Sequence, residues 1–243
     1  MASDEIIFPF ISSANIACGG HAGDKDTMRR TVELAIRHGV AIGAHPSYPD
    51  PADFGRVDLL GSGVTLEDLP GIIYTQLDAL QEVCRSFGVR LRHVKPHGAL
   101  YNRAARDPAV SEVLCRAVLE FDGSLIFYGL SGSALSRAAT AAGLRFVSEV
   151  FADRTYRPDG SLTPRSEAHA LIGDAAASVR QVLKMVKEGR VDVFLTDGSV
   201  AGEAGLDAQT VCLHGDGAHA AEYAKMIHDQ LKLEGVEIKP PKP

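Results

Sequence analysis

Hydrophobic positions change period repeatedly along this chain. Val179, Val182, Leu183 and Val186 recur at i, i+3, i+4 and i+7, and Ala220, Ala224, Ile227 and Leu231 follow a similar stripe, so both stretches are predicted to be amphipathic helices. Short apolar or alternating runs follow such stretches, each announced by a glycine: HGVAIGAH (38–45), FGVRLRHV (87–94), AGLRFVSEV (142–150), EGRVDVFL (188–195) and EGVEI (234–238). Glycine just past a helix adopts the left-handed conformation that turns the chain into the next element. The order helix, Gly, strand therefore recurs five times. Asn15–Cys18, Ser124–Leu130 and Thr210–Leu213 read as further strands. Strands alternating with helices predict a parallel sheet and an α/β fold. No Pro/Ser/Gly-rich linker divides the chain, and low complexity is confined to the KPPKP tail, so 1–243 is expected to be a single α/β domain.

Parallel α/β sheets bind ligands at the carboxyl ends of their strands, and the polar clusters fall there. GGHAGD follows the strand at Asn15–Cys18, HPSYPD follows Val40–Ala44, KPHG follows Leu91–Val94, ADR follows Phe146–Phe151, and HGD follows Val211–Leu213. Five polar strand ends on one rim suit a closed or nearly closed barrel better than an open sheet. Side chains two apart on a strand share a face, so His93, Lys95 and His97 are expected to form one wall of an anion-binding mouth. Lys95 is the strongest candidate, because a buried lysine without a counter-charge is costly.

Other rim residues carry competing readings. Asp24 caps a helix or binds substrate, and Asp216 likewise. Asp153 and Arg154 form an internal ion pair or serve the site. Arg56 clamps a carboxylate or stays solvated, Arg165 at the end of DGSLTPR adds another cation near the same rim, and His21, His45 and His214 shuttle protons or are structural. Cys18, inside a strand, is expected to pack in the core.

Composition narrows the field. The chain has 243 residues with formal net charge -6 and no basic block, which disfavours nucleic acid and anionic membranes as partners. No apolar run approaches the ~20 residues of a membrane span, and MASDEIIFPFISS carries acids where a secretory leader carries bases. Four scattered cysteines without CxxC spacing point to a reducing, cytoplasmic setting. No glycine is followed by lysine, so there is no P-loop, and neither GxGxxG nor GxSxG occurs.

Taken together, SSANIACGGHAGD, GVAIGAHPSYPD with FGR, RHVKPHGALYN, EVFADRTY with DGSLTPR, and TVCLHGD closely resemble the LamB/YcsF family from about Ser12 to Ile238. The resemblance implies an irregular, TIM-like (β/α) barrel related to metal-dependent polysaccharide deacetylases. It also implies a role as the A subunit of a bacterial ATP-dependent 5-oxoprolinase, which opens 5-oxoproline (pyroglutamate) to glutamate with ATP, Mg²⁺ and partner subunits B and C. A homo-oligomer is a further expectation. On that reading His21, His45, Lys95, His97, Asp153 and His214 are the catalytic candidates, and Asn15, Asp24, Arg56, Arg154, Arg165 and Asp216 contact substrate.

The family's usual N-terminal DLNxDxGE strand has no counterpart before MASDEIIFPFISS, so a first strand is expected to be missing. Its CGFHAGD reads CGGHAGD here, where Gly20 is expected to loosen one wall of the pocket. Two other functions compete: a stand-alone metal-dependent amidohydrolase or deacetylase with a divalent ion on His21 and His45, and a non-catalytic small-molecule binding subunit.

Overall fold

The computed structural model describes residues 2–215, 217 and 219–242. In chain order the elements are α1 (Ala2–Ile7), β1 (Ser13–Ala17), α2 (Lys25–His38), β2 (Ala41–His45), α3 (Leu69–Ser86), β3 (His93–Val94), α4 (Gly98–Arg106), α5 (Pro108–Asp122), β4 (Ile126–Leu130), α6 (Ala134–Ala141), β5 (Phe146–Phe151), α7 (Ala175–Glu188), β6 (Arg190–Phe194), β7 (Val200–Gly205), β8 (Thr210–Cys212) and α8 (Ala220–Leu233). The expected α/β class and parallel sheet are found, with hydrogen-bonded order β1-β2-β3-β4-β5-β8.

The chain folds as two compact units. One comprises Ser12–Gly129 and Ser133–Val147. Its strands β1 to β4 pair in sequence order and in parallel, so Asn15, Gly43, His93 and Ile126 stand in one cross-sheet row. Phe127 N–H donates to Arg145 C=O, where β5 begins. Helices α2, α3 and α5 bury one apolar stripe each; in α2 it is Met28, Val32 and Ala35, in α3 Leu69, Ile73, Leu77, Leu80 and Cys84. Spacings of three and four residues put each set on one helical face.

The other unit comprises Leu130–Gly132 and Ser148–Lys239, with the segment through Ile11. There β5 pairs in parallel with β8, matching Val150 to Val211. Ile7 of α1 packs against Ala220 and Ala224 of α8. The α8 stripe is buried as its period predicts, at Ala220, Ala224, Ile227 and Leu231. In α7 the buried face is Ser178, Val182 and Met185, rotated from the predicted one because the Ser178 hydroxyl turns inward to Ala152 C=O.

All five announcing glycines have positive φ: Gly39, Gly88, Gly143, Gly189 and Gly235. Two strand expectations fail. EGVEI (234–238) forms no strand; Gly235 ends α8 and the chain continues without regular structure. EGRVDVFL does give β6, but β6 pairs antiparallel with β7 in a separate two-stranded sheet. The cause is local: Asp197 Oδ1 accepts from Ser199 N–H, Gly198 takes φ +83, and Leu195 N–H reaches Ser199 C=O, closing a turn that returns the chain beside itself. No helix among the described residues is long and apolar enough to cross a membrane.

Candidate active site

The row Asn15–Gly43–His93 shows how sequence shapes the face of the first unit. A Cβ on Gly43 would lie 1.9 Å from His93 Nε2, so only glycine lets the imidazole lie over β2. His93 thereby reaches Asn15 Oδ1 on β1 (3.0 Å) and stacks on Tyr128 of β4, centroids 4.2 Å apart. The ring is fully buried, and burial followed by the Lys95 charge pushes its pKa down to about 3. It is a neutral ring tying three strands together.

One step toward the carboxyl end, the same face carries His45, Lys95 and His97. Lys95 is buried, its ammonium 5.6 Å from the centroid of Tyr101. His45 Nδ1 meets Lys95 C=O at 2.7 Å, and His97 Nδ1 meets His45 Nε2 at 3.0 Å. His97 Nε2 donates to Phe54 C=O at 2.9 Å. His21, from the turn after β1, stacks on His97 with centroids 3.8 Å apart and planes 11° from parallel. Burial and then the Lys95 and His97 charges hold His45 well below the usual imidazole range; burial and then His97 bring His21 to about 3.

The loop after β2 seats this cluster. Tyr48 O–H donates to Asp58, which also accepts from Arg103 of α4. Gly55 C=O accepts from Ala99 N–H at the start of α4. A Cβ on Gly55 would come within 3.0 Å of both His21 Cβ and His97 Cδ2, and its φ is +65, so the loop backbone lies directly on the rings. Phe54 takes φ +56, the left-handed region, and it is the only non-glycine residue to do so among the described residues. Its ring sets an edge on His21 and His97, and the Arg56 guanidinium lies 5.1 Å over it.

The pocket wall at Gly20 is not loosened. A Cβ there would sit 2.3 Å from Gln76 Oε1 and 2.6 Å from Ser47 Oγ. Gln76 fills the place, accepting from Ser47 N–H and donating to Ser47 C=O. Asp24 is the N-cap of α2, accepting from Thr27 N–H at 2.7 Å. Cys18 packs in the core, its thiol pushed up to about 12 by burial.

In the second unit, His214 Nδ1 lies 3.0 and 2.9 Å from the two oxygens of Asp153, which also accepts from His214 N–H. Burial opposes ionisation of Asp153, yet the bonds from His214 hold its pKa below the usual value. Asp153 therefore serves His214, and the Asp153–Arg154 ion pair is not formed. The buried Arg154 guanidinium donates instead to Thr163 C=O and Ala170 C=O, anchoring the 153–172 loop. Burial, then the neighbouring Arg165 charge, lowers it to about 10. Arg165 is exposed. Asp216 lies outside the described residues.

A divalent ion on His21 and His45 does not fit these residues. Both nitrogens of His45 are engaged, and no group of three His, Cys, Asp or Glu able to hold a metal occurs among the described residues. The sequence points to His21, His45, Lys95 and His97 but not to Gly43, Phe54 or Gln76. Gly43 and Phe54 work through backbone geometry and packing, and Gln76 through its side-chain bonds to the Ser47 backbone. Only the "FGR" following a Pro-rich loop hints at one of them.

The sequence matches the LamB/YcsF family over residues 1–243. It is 51% identical over 240 residues to a 5-oxoprolinase A subunit of Tolumonas auensis, covering 98% of this chain and 92% of that protein. It is 48% identical over 238 residues to the protein of that name in Bordetella pertussis, covering 98% and 91%. A crystal structure of a lactam utilization protein from Thermus thermophilus superposes with TM-score 0.88 at 38% identity, covering 97% of this chain and 91% of that one. The chain belongs to the LamB/YcsF family.

Proposed function

We propose that this chain is the A subunit of a 5-oxoprolinase that opens 5-oxoproline to L-glutamate at the expense of ATP, acting with subunits B and C. The observation that carries the reading is the buried Lys95 beside the linked His45 and His97 rings: fixed positive charge next to a proton carrier, at the carboxyl end of a parallel sheet. The names of the relatives, a 5-oxoprolinase A subunit and a lactam utilization protein, support it.

A five-membered lactam is a poor electrophile, and its ring closure is favoured. Transfer of the γ-phosphoryl group of ATP to the amide oxygen turns that oxygen into a leaving group. Water then adds at the ring carbon, the C–N bond breaks with a proton going to the departing amine, and the resulting acyl phosphate is hydrolysed by a second water to glutamate and phosphate. Lys95 meets the substrate carboxylate. His97, backed by His45, moves a proton at the amide. His214, held by Asp153 so that Nε2 remains an acceptor, is the proton carrier of the second unit. The sequence carries no Gly-Lys phosphate loop, and we assign nucleotide and Mg²⁺ handling to the partner subunits.

The test is glutamate formation from 5-oxoproline and ATP by this chain with its cognate B and C subunits, beside Lys95→Ala. A loss of about 100-fold or more in the variant is expected. Turnover indifferent to the substitution removes the Lys95 role. Glutamate formed by the chain alone without ATP would favour the stand-alone amidohydrolase.

A further inference from the structure

The ring protons of the histidine cluster can be counted. His45 Nδ1 and His97 Nε2 both face backbone carbonyls, of Lys95 and Phe54, and a carbonyl only accepts; both nitrogens therefore carry hydrogen. The 3.0 Å contact between His97 Nδ1 and His45 Nε2 needs one more hydrogen. Two neutral rings hold two such hydrogens, and this pair requires three, so it carries one positive charge.

His21 resolves the opposite way. The Ser47 hydroxyl donates to Tyr48 C=O at 2.7 Å, so its oxygen receives hydrogen from His21 Nδ1 at 3.0 Å. His21 is then neutral, with a lone pair on Nε2. Two stacked rings 3.8 Å apart thus offer one donor, His97 Nε2–H, and one acceptor, His21 Nε2. A five-membered lactam presents the complement. Ring closure forces its amide cis, so N–H and C=O lie on one edge, whereas an ordinary trans amide points them apart.

We infer that the His21–His97 stack reads the cis-amide edge of a lactam, His97 Nε2–H donating to the ring carbonyl oxygen and His21 Nε2 accepting from the ring N–H. In the present arrangement the Phe54 carbonyl holds the place of the lactam oxygen: one amide oxygen on His97 is exchanged for another. The contact it makes is solvent-exposed. This inference rests on the lactam reading above and adds to it the groups that select a cyclic amide.

Calorimetric titration of the full chain, alone and with its cognate partners, tests it with three probes: 5-oxoproline, the γ-lactone whose ring oxygen replaces N–H, and N-acetylglycine, a trans amide. The wild-type chain is expected to favour the lactam over the lactone about tenfold and over the trans amide by more. In His21→Leu the lactam-to-lactone preference should vanish; in His21→Gln, whose amide oxygen still accepts, part of it should return. Equal affinity of the wild-type chain for lactam and lactone overturns the inference without any variant, as does a preference unchanged in His21→Leu. In both cases lactam binding itself persists and the proposed function stands. No binding of 5-oxoproline by the wild-type chain, with or without partners, removes both.

Discussion

Each unit presents a histidine fixed by its neighbours, but by different chemistry. His97 in the first unit is held by a carbonyl on one side and another imidazole on the other. His214 in the second is held by a carboxylate through both oxygens. Carbonyls set which nitrogens carry hydrogen while leaving the charge to be decided by proton count. A carboxylate fixes the tautomer, putting hydrogen on the nitrogen that faces it. The first arrangement makes a hydrogen-bond donor beside Lys95, the second a base ready to accept. The difference shows that residue type alone does not state a histidine's role; the partner at the far nitrogen does.

The largest expected effect comes from the foundation of the first arrangement. Gly43→Ala drives a methyl into the His93 ring between paired strands, and a loss of about 3 kcal/mol or more is expected in chemical denaturation. A fold unaffected by that change would mean the His93 row does not hold the face.

Next in size is a direct exchange of partners. Asp153→Asn removes the carboxylate from His214 and is expected to lower kcat by about 100-fold when all three subunits are assayed together. His45→Gln should cost only about tenfold, because an amide can donate to Lys95 C=O and accept from His97 Nδ1. Equal losses would erase the distinction between the two settings.

The pH dependence of stability separates them further. His21 and His93 take a proton near pH 6.5 when unfolded but near 3 when folded. Between those values the unfolded chain binds protons that the fold refuses, so stability falls as pH drops from 6.5 toward 3. Each ring contributes a slope of at most about 1.4 kcal/mol per pH unit. His93→Gln should flatten that slope by one ring's share in denaturation at pH 4 to 6; an unchanged slope would show that His93 is not held neutral. The smallest effect is expected away from both histidines: Asp24→Ala, which uncaps α2, should cost about 1 kcal/mol of stability and leave kcat unchanged.

Much of this was legible in the sequence. Glycines 39, 88, 143, 189 and 235 mark helix ends because a left-handed residue is a local requirement that sequence states directly. The alternation His93, Lys95, His97 names a shared face because strand period is also local. The α8 stripe gives its buried face for the same reason. The hairpin of β6 and β7 was not anticipated: the Asp197-Gly198 turn competes with the recurring helix-Gly-strand order and wins over it.

What the sequence could not state is which atoms meet across many residues of chain. His93 bonds Asn15 from 78 positions away, over a glycine whose absent side chain is meaningful only once β2 lies between them. Asp153 serves His214 rather than its neighbour Arg154, whose guanidinium is drawn to loop carbonyls that only the folded loop brings near. Periodicity, caps and turns are settled by sequence because their energies arise within a few residues. Proton placement on His21, His45 and His97 follows from carbonyls and a hydroxyl brought by other segments, and so belongs to the tertiary structure.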